Sequence, residues 1–298
     1  MTMTITNTVH RGGRGLPLVL CHAFPVDHRM WNRCASSLID RADRRGLVPF
    51  PVYAPDMPGA GDCPLPEAGQ NGEVAPDGAY PQALDRMADA FVNMVAGLGH
   101  RKAIWVGLSM GGYLVEAIWR LHPEAVAGLA LCDTTTRGDT PQSRANRLDV
   151  AQDCLETGSV DGVMHFARPQ EGDSRIKTSP EFIETMTGWI RSQSPQGIAW
   201  RERMAAGRPD QTGLLPGIDV PLTMVSGELD PSSSPRTMRP LARAATSAPG
   251  GVRFVQVPEC GHFSAVEHPE AVASALVDLV ADVQASCGAD ETGAGHDE

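Results

Sequence analysis

Short apolar runs bounded by turn residues recur along the chain: Leu16 to Cys21, Val48 to Ala54, Ala103 to Val106, Val126 to Cys132, Pro221 to Ser226 and Val252 to Val257. Runs this short and this apolar read as strands buried on both faces. Between several of them lie segments of helical period. Gln82 to Leu98 carries Leu84, Met87, Ala88, Phe91 and Met94 on one face, and Gly112 to Leu121 follows a strand directly. Strands that alternate with helices close a mainly parallel sheet covered on both sides, so the spacing predicts an α/β fold. At 298 residues the chain exceeds the usual domain of roughly 100 to 200, which leaves room for an insertion in that core.

The alternation stops between about Thr135 and Pro216, where polar helical stretches take over at Pro141 to Leu155, Val160 to Ala167 and Pro180 to Met204. The expected organisation is a core of residues 1–134 and 216–285, an inserted helical cap of residues 135–215, and a small, polar, acidic tail of residues 286–298 that is expected to be disordered. A Pro/Gly-rich loop runs from Cys63 to Pro81.

The strand-like run Ala103 to Val106 leads into Gly107-Leu108-Ser109-Met110-Gly111-Gly112, a G-x-S-x-G pattern at a strand-to-helix junction. The pattern is short, and its weight comes from that place. Glycines on either side remove Cβ clashes from a sharp turn and leave the serine hydroxyl exposed. A serine hydroxyl is a poor nucleophile unless a base takes its proton, so the reading requires a histidine oriented by a carboxylate. Asp230 follows the run ending at Ser226, and His262 follows the next one, in Pro258-Glu259-Cys260-Gly261-His262-Phe263. Asp133 also ends a strand and competes with Asp230 for the acid. Oxyanion donors are expected at the N–H of Met110, directly after the serine, and at the N–H of Phe24 in Cys21-His22-Ala23-Phe24-Pro25, after an early strand. His22 reads as a brace for that loop, and Glu228 as a brace for the acid loop.

These stretches resemble the α/β-hydrolase superfamily, in its capped group that includes 3-oxoadipate enol-lactonases and small carboxylesterases. The resemblance rests on His22 to Pro25, Asp56-Met57-Pro58-Gly59-Ala60-Gly61, Gly107 to Gly112, Gly227 to Asp230 and Gly261-His262-Phe263, and covers the chain to about Ala285. It implies an α/β-hydrolase fold with Ser109 as nucleophile, Asp230 and His262 as its partners, and Phe24 and Met110 as oxyanion donors. Ala23 departs from the glycine usual there. Haloalkane dehalogenases and epoxide hydrolases of the superfamily use a carboxylate at the elbow, which Ser109 cannot replace. The resemblance therefore implies hydrolysis of a small carboxylic ester or lactone through an acyl-enzyme, without metal or organic cofactor. Carbon–carbon hydrolysis, perhydrolysis and ligand sensing by a receptor on the same fold are the alternatives.

Charge and cysteine content narrow the partners. A net charge of -11 repels phosphate backbones and argues against nucleic-acid binding. The seven cysteines form no CxxC pair and no His-containing metal spacing, and Cys260 reads as an inert buried thiol. No stretch approaches the roughly 20 apolar residues of a membrane span, and Met1 to Gly15 lacks the apolar run of a signal peptide, so a cytoplasmic location is expected. Phe182, Met186, Trp189 and Ile190 fall on one helical stripe that either lines the substrate pocket or packs the cap on itself. Oligomeric state is not readable from these features.

Overall fold

The structure is a computed structural model that describes residues 2–293, with side chains described through Ser286. In chain order its elements are β1 (Thr6–Arg11), β2 (Leu18–Cys21), α1 (Asn32–Arg44), β3 (Val52–Asp56), α2 (Ala83–Gly97), β4 (Ala103–Leu108), α3 (Met110–Leu121) and β5 (Val126–Cys132). The chain continues through α4 (Pro141–Thr157), α5 (Pro180–Arg191), α6 (Pro195–Gly207), β6 (Leu222–Gly227), α7 (Pro235–Ala244), β7 (Arg253–Val257), α8 (Ser264–Glu267) and α9 (Pro269–Gly293).

The seven strands form one sheet in the order β1-β3-β2-β4-β5-β6-β7. Every pair is parallel except β1 with β3. Successive strand side chains point to opposite faces, and every side chain of β2, β3, β4 and β6 is buried, so both faces are covered. Each Val, Leu or Ile removed from water in these strands contributes about 1.5–3 kcal/mol. Helices α1 and α9 pack together, with α9 lying on β5 and β6, while α2 packs on α3, which lies on β2, β4 and β5.

Six of the seven strands fall on the expected apolar runs, with boundaries moved by up to four residues. The seventh, β1, is a departure: Thr-Asn-Thr-Val-His-Arg carries no apolar run because it is a half-buried antiparallel edge strand. With β1 as its one antiparallel member the sheet is mainly parallel, as expected. Between β5 and β6 there is no strand, and the segment holds α4, α5, α6 and two 3-10 turns at Asp161–Ala167 and Thr212–Gly217. The single stretch read from Pro180 to Met204 is two helices. Ser194 caps the second through its side chain, which accepts from the Gly197 N–H, and Pro195 occupies its first turn. Helix α9 continues past Ala285 to Gly293, while residues 294–298 of the expected tail lie outside the described residues. No described helix is long and apolar enough to cross a membrane.

Candidate active site

Strand β4 sits centrally between β2 and β5, and its C-terminal end delivers Ser109 directly into α3. Ser109 has φ 55° and ψ -113°, a left-handed backbone that a residue with a Cβ adopts only when its surroundings enforce it. Two glycines make that turn possible. A Cβ at Gly107 would stand 2.2 Å from the Gly111 carbonyl oxygen, and one at Gly111 would stand 2.2 Å from the Cys21 carbonyl oxygen. The second contact presses the first turn of α3 against the end of β2, from which the loop carrying Phe24 departs. The elbow is pinned further by Ser109 N–H donating to Cys132 O at 2.9 Å and by the Thr134 hydroxyl donating to Ser109 O at 2.7 Å.

The loops after β6 and β7 bring Asp230 and His262 to this hydroxyl. His262 Nε2 lies 2.9 Å from Ser109 Oγ, and His262 Nδ1 lies 2.8 Å from Asp230 Oδ2. With the ring proton on Nδ1, the histidine donates to the carboxylate and offers Nε2 as an acceptor for the serine proton. The other oxygen of Asp230 accepts from the Ser232 N–H at 2.8 Å and the Ser232 hydroxyl at 2.9 Å. Burial of Asp230 would raise its carboxyl, but the charge and hydrogen bond of His262 and the amides of Ser232 and Ser233 outweigh burial and hold it below its usual range. Burial would lower the His262 imidazole, yet the charge and hydrogen bond of Asp230, reinforced by Asp133 and Glu267, raise it above its ordinary value.

Asp133, the competing acid, does not reach the imidazole. Its two oxygens accept from Gly227 N–H at 2.8 Å and Ser264 N–H at 3.3 Å, so it ties the acid loop to the histidine loop. Burial first, and then the charge of Asp230, push its carboxyl up. Glu228 has the bracing place expected of it, with its carboxylate accepting from the Glu259 N–H. His22 is buried; its Nε2 accepts from the Met57 N–H at 2.9 Å and its Nδ1 lies 2.9 Å from Ala23 O, which joins the Phe24 loop to the Asp56–Gly61 turn. Cys260 is buried, and burial raises its thiol far from the thiolate form.

Met110 opens α3, and the first N–H groups of a helix have no partner within it. Phe24 is buried, with its ring edge-to-face on Phe166 at 5.9 Å, and Phe166 in turn meets Phe263 at 6.2 Å. Phe166 comes from the segment between β5 and β6, so that segment contributes an aromatic wall between the Phe24 loop and the histidine loop. The same segment is fastened to the Phe24 loop by Arg201. This buried guanidinium donates to Val26 O and Gln193 Oε1, each at 2.9 Å, while Gln193 Nε2 donates to Asp27 at 2.7 Å. Neither interaction is readable from residue periodicity.

The stripe Phe182, Met186 and Ile190 is buried, whereas Trp189 is half-buried. Phe182 and Trp189 line a cleft of about 540 Å³ with Met30 and Ile176, and Ser109, Asp230 and His262 are not among its walls. The stripe therefore packs the inserted segment and borders a cleft distinct from the serine. Asp27, His28 and Asp56 each bring a ligand-type atom within 4.8 Å of the others. These atoms are engaged: Arg29 and Gln193 bind Asp27, and His28 Nδ1 lies 2.8 Å from Asp56 Oδ2. The group braces the loop that carries Phe24.

Comparison with known proteins agrees with this fold. A thermophilic esterase from Thermogutta terrifontis has a similar solved structure, with 31% sequence identity, a TM-score of 0.76, and coverage of 94% of this chain and 93% of that one. The enol-lactonase from Burkholderia xenovorans shares the fold at TM-score 0.73 and 22% identity, over 93% of this chain and 96% of the other. Epoxide hydrolase A of Mycobacterium tuberculosis is 24% identical, over 91% of this chain and 92% of that protein. The family model described as the alpha/beta hydrolase family matches residues 18–275, from β2 into α9, and the chain belongs to that family.

Proposed function

We propose that this protein is a serine hydrolase that cleaves a small carboxylic ester or lactone through an acyl-enzyme. The observation that carries the reading is the unbroken hydrogen-bond relay from Ser109 Oγ through His262 to Asp230, set on a strained elbow. His262 Nε2 takes the serine proton as Oγ bonds to the substrate carbonyl carbon, and Asp230 holds the tautomer and stabilises the imidazolium. The carbonyl oxygen becomes an oxyanion facing the N–H groups of Phe24 and Met110. Collapse of the tetrahedral adduct breaks the bond to the leaving oxygen, which receives the proton from His262. Water, deprotonated by the same imidazole, then attacks the acyl-enzyme and regenerates Ser109.

The likeness to an esterase at 31% identity supports ester chemistry. The likeness to an epoxide hydrolase does not bring that reaction here, because opening an epoxide through an enzyme ester needs a carboxylate at the elbow and residue 109 is serine. Residues 135–215 act as a cap over the site in this reading, with Phe166 its aromatic contact to both catalytic loops. The test is steady-state hydrolysis of a panel of p-nitrophenyl esters, methyl esters and lactones by wild type and Ser109→Ala. The expected result is turnover of part of the panel, reduced at least ~10³-fold by the substitution. Turnover retained in Ser109→Ala excludes the mechanism.

A further inference from the structure

His262 is held in place from behind by a second carboxylate that contacts neither the serine nor the acid. Glu267 closes the short helix α8 and is buried. Its Oε2 accepts from the Gly261 N–H at 2.7 Å, and its Oε1 accepts from the Phe263 N–H at 3.1 Å. These are the two backbone amides on either side of His262. A carboxylate that accepts both amides fixes the backbone from which the imidazole projects, and charge-assisted bonds of this type are roughly twice as strong as neutral ones.

The carboxylate has a third donor, the Ser174 hydroxyl, which gives its proton to Oε2 at 2.5 Å. Ser174 is fully buried and belongs to the segment between β5 and β6, just ahead of α5. Its hydroxyl oxygen accepts from the Lys177 N–H at 3.0 Å, so the hydroxyl proton is directed to the carboxylate by a turn of that segment. One buried carboxylate thus joins the inserted segment to the backbone on both sides of His262. Three carboxylates surround the imidazole electrostatically: Asp230 from the loop after β6, Asp133 from the end of β5, and Glu267 from α8, and each raises its proton affinity.

We infer that Glu267 is a positioning residue for His262, and that Ser174 passes the seating of the inserted segment to the histidine through it. The inference rests on the serine-hydrolase reading above. It predicts that a substrate which unseats the segment also loosens the catalytic base.

The experiment compares wild type, Glu267→Gln, Glu267→Asp and Ser174→Ala by circular dichroism, by kcat and KM on one small ester across pH, and by the downfield NMR signal of the His262 Nδ1 proton. A glutamine amide keeps one acceptor oxygen but replaces the other with a donor, so it cannot receive both backbone amides. Glu267→Gln is expected to fold, to lose roughly ten- to a hundredfold in kcat with KM within about twofold, and to weaken or shift the Nδ1 signal, since a misplacement of order 1 Å costs up to about 10²-fold. Its acid limb moves to lower pH because one raising charge is gone. Glu267→Asp restores part of kcat, and Ser174→Ala lowers kcat by a smaller factor without moving the acid limb.

Wild-type kcat, pH profile and Nδ1 signal in folded Glu267→Gln overturn the positioning role. Should that variant not fold, Ser174→Ala decides: unchanged kcat and an unchanged Nδ1 signal overturn the link to the segment. The two readings fail separately. Absence of hydrolysis by wild type overturns the serine-hydrolase reading, whereas the NMR signal tests Glu267 without turnover.

Discussion

Ser109 and His262 illustrate how the surroundings of a single side chain set its backbone geometry and its proton affinity. The imidazole is half-buried and would by itself hold its proton more weakly than in water, yet the neighbouring carboxylates reverse the sign and raise it above its ordinary value near 6.5. A general base works only in its neutral form, so activity must fall as pH drops through the folded pKa. The expected pH profile of kcat/KM therefore has an acid limb with its inflection above about 6.5. Asp230→Asn removes the largest raising cause, and its acid limb is expected at lower pH together with a large loss of kcat. An acid limb at or below 6.5 in wild type, or one that Asp230→Asn leaves in place, contradicts the assignment of the acid. The size of the kcat loss separates the two candidates: removing either charge moves the acid limb down, but only Asp230 bonds the imidazole, so Asp133→Asn is expected to lose far less kcat than Asp230→Asn.

At the scale of elements, the site is a set of loops at the C-terminal ends of the parallel strands. The elbow between β4 and α3 requires backbone to pass so close that Gly107 has no space for a methyl group: the nearest atom is the Gly111 carbonyl oxygen, which belongs to the helix the elbow opens. Gly107→Ala must shift that turn. Overpacking of this kind costs about 1–3 kcal/mol, which for a domain of this size lowers Tm by roughly 2–4 °C per kcal/mol. A thermal melt and kcat on the folded fraction check this; the expected outcome is a lower Tm with a loss of turnover larger than the melt explains, and an unchanged Tm with full turnover would show that the elbow tolerates the methyl group. The loops after β6 and β7 are also joined by Leu229 N–H donating to Cys260 O at 2.8 Å, a backbone bond that adds to the Asp133 and Glu228 side chains in setting the spacing of Asp230 and His262. Elements were legible to unequal degrees. Buried strands announce themselves through continuous apolar runs, whereas β1 is polar because only part of it is covered, and the break before α6 was signalled by Ser194-Pro195 within a stretch whose helical composition masked it.

Across the whole molecule, the sequence carries the site wherever a residue's chemistry depends on its near neighbours in the chain. Ser109, Asp230 and His262 follow β4, β6 and β7, of which β4 and β6 are fully buried and β7 is partly exposed, and parallel strands place their C-terminal ends on the same side, so three distant residues were readable as one constellation. Contacts that join the inserted segment to the core were not. Ser174 with Glu267 and Arg201 with Val26 span 93 and 175 residues of sequence, and no local pattern marks them. They fasten the segment to the Phe24 and His262 loops, and in the proposed reading substrate preference resides there. The most direct test of the central claim is covalent labelling with a fluorophosphonate, followed by peptide mass spectrometry, on wild type and His262→Ala. One adduct is expected on the peptide containing Ser109, formed far more slowly in His262→Ala; an unlabelled Ser109, or labelling at the same rate without the histidine, contradicts an activated serine nucleophile.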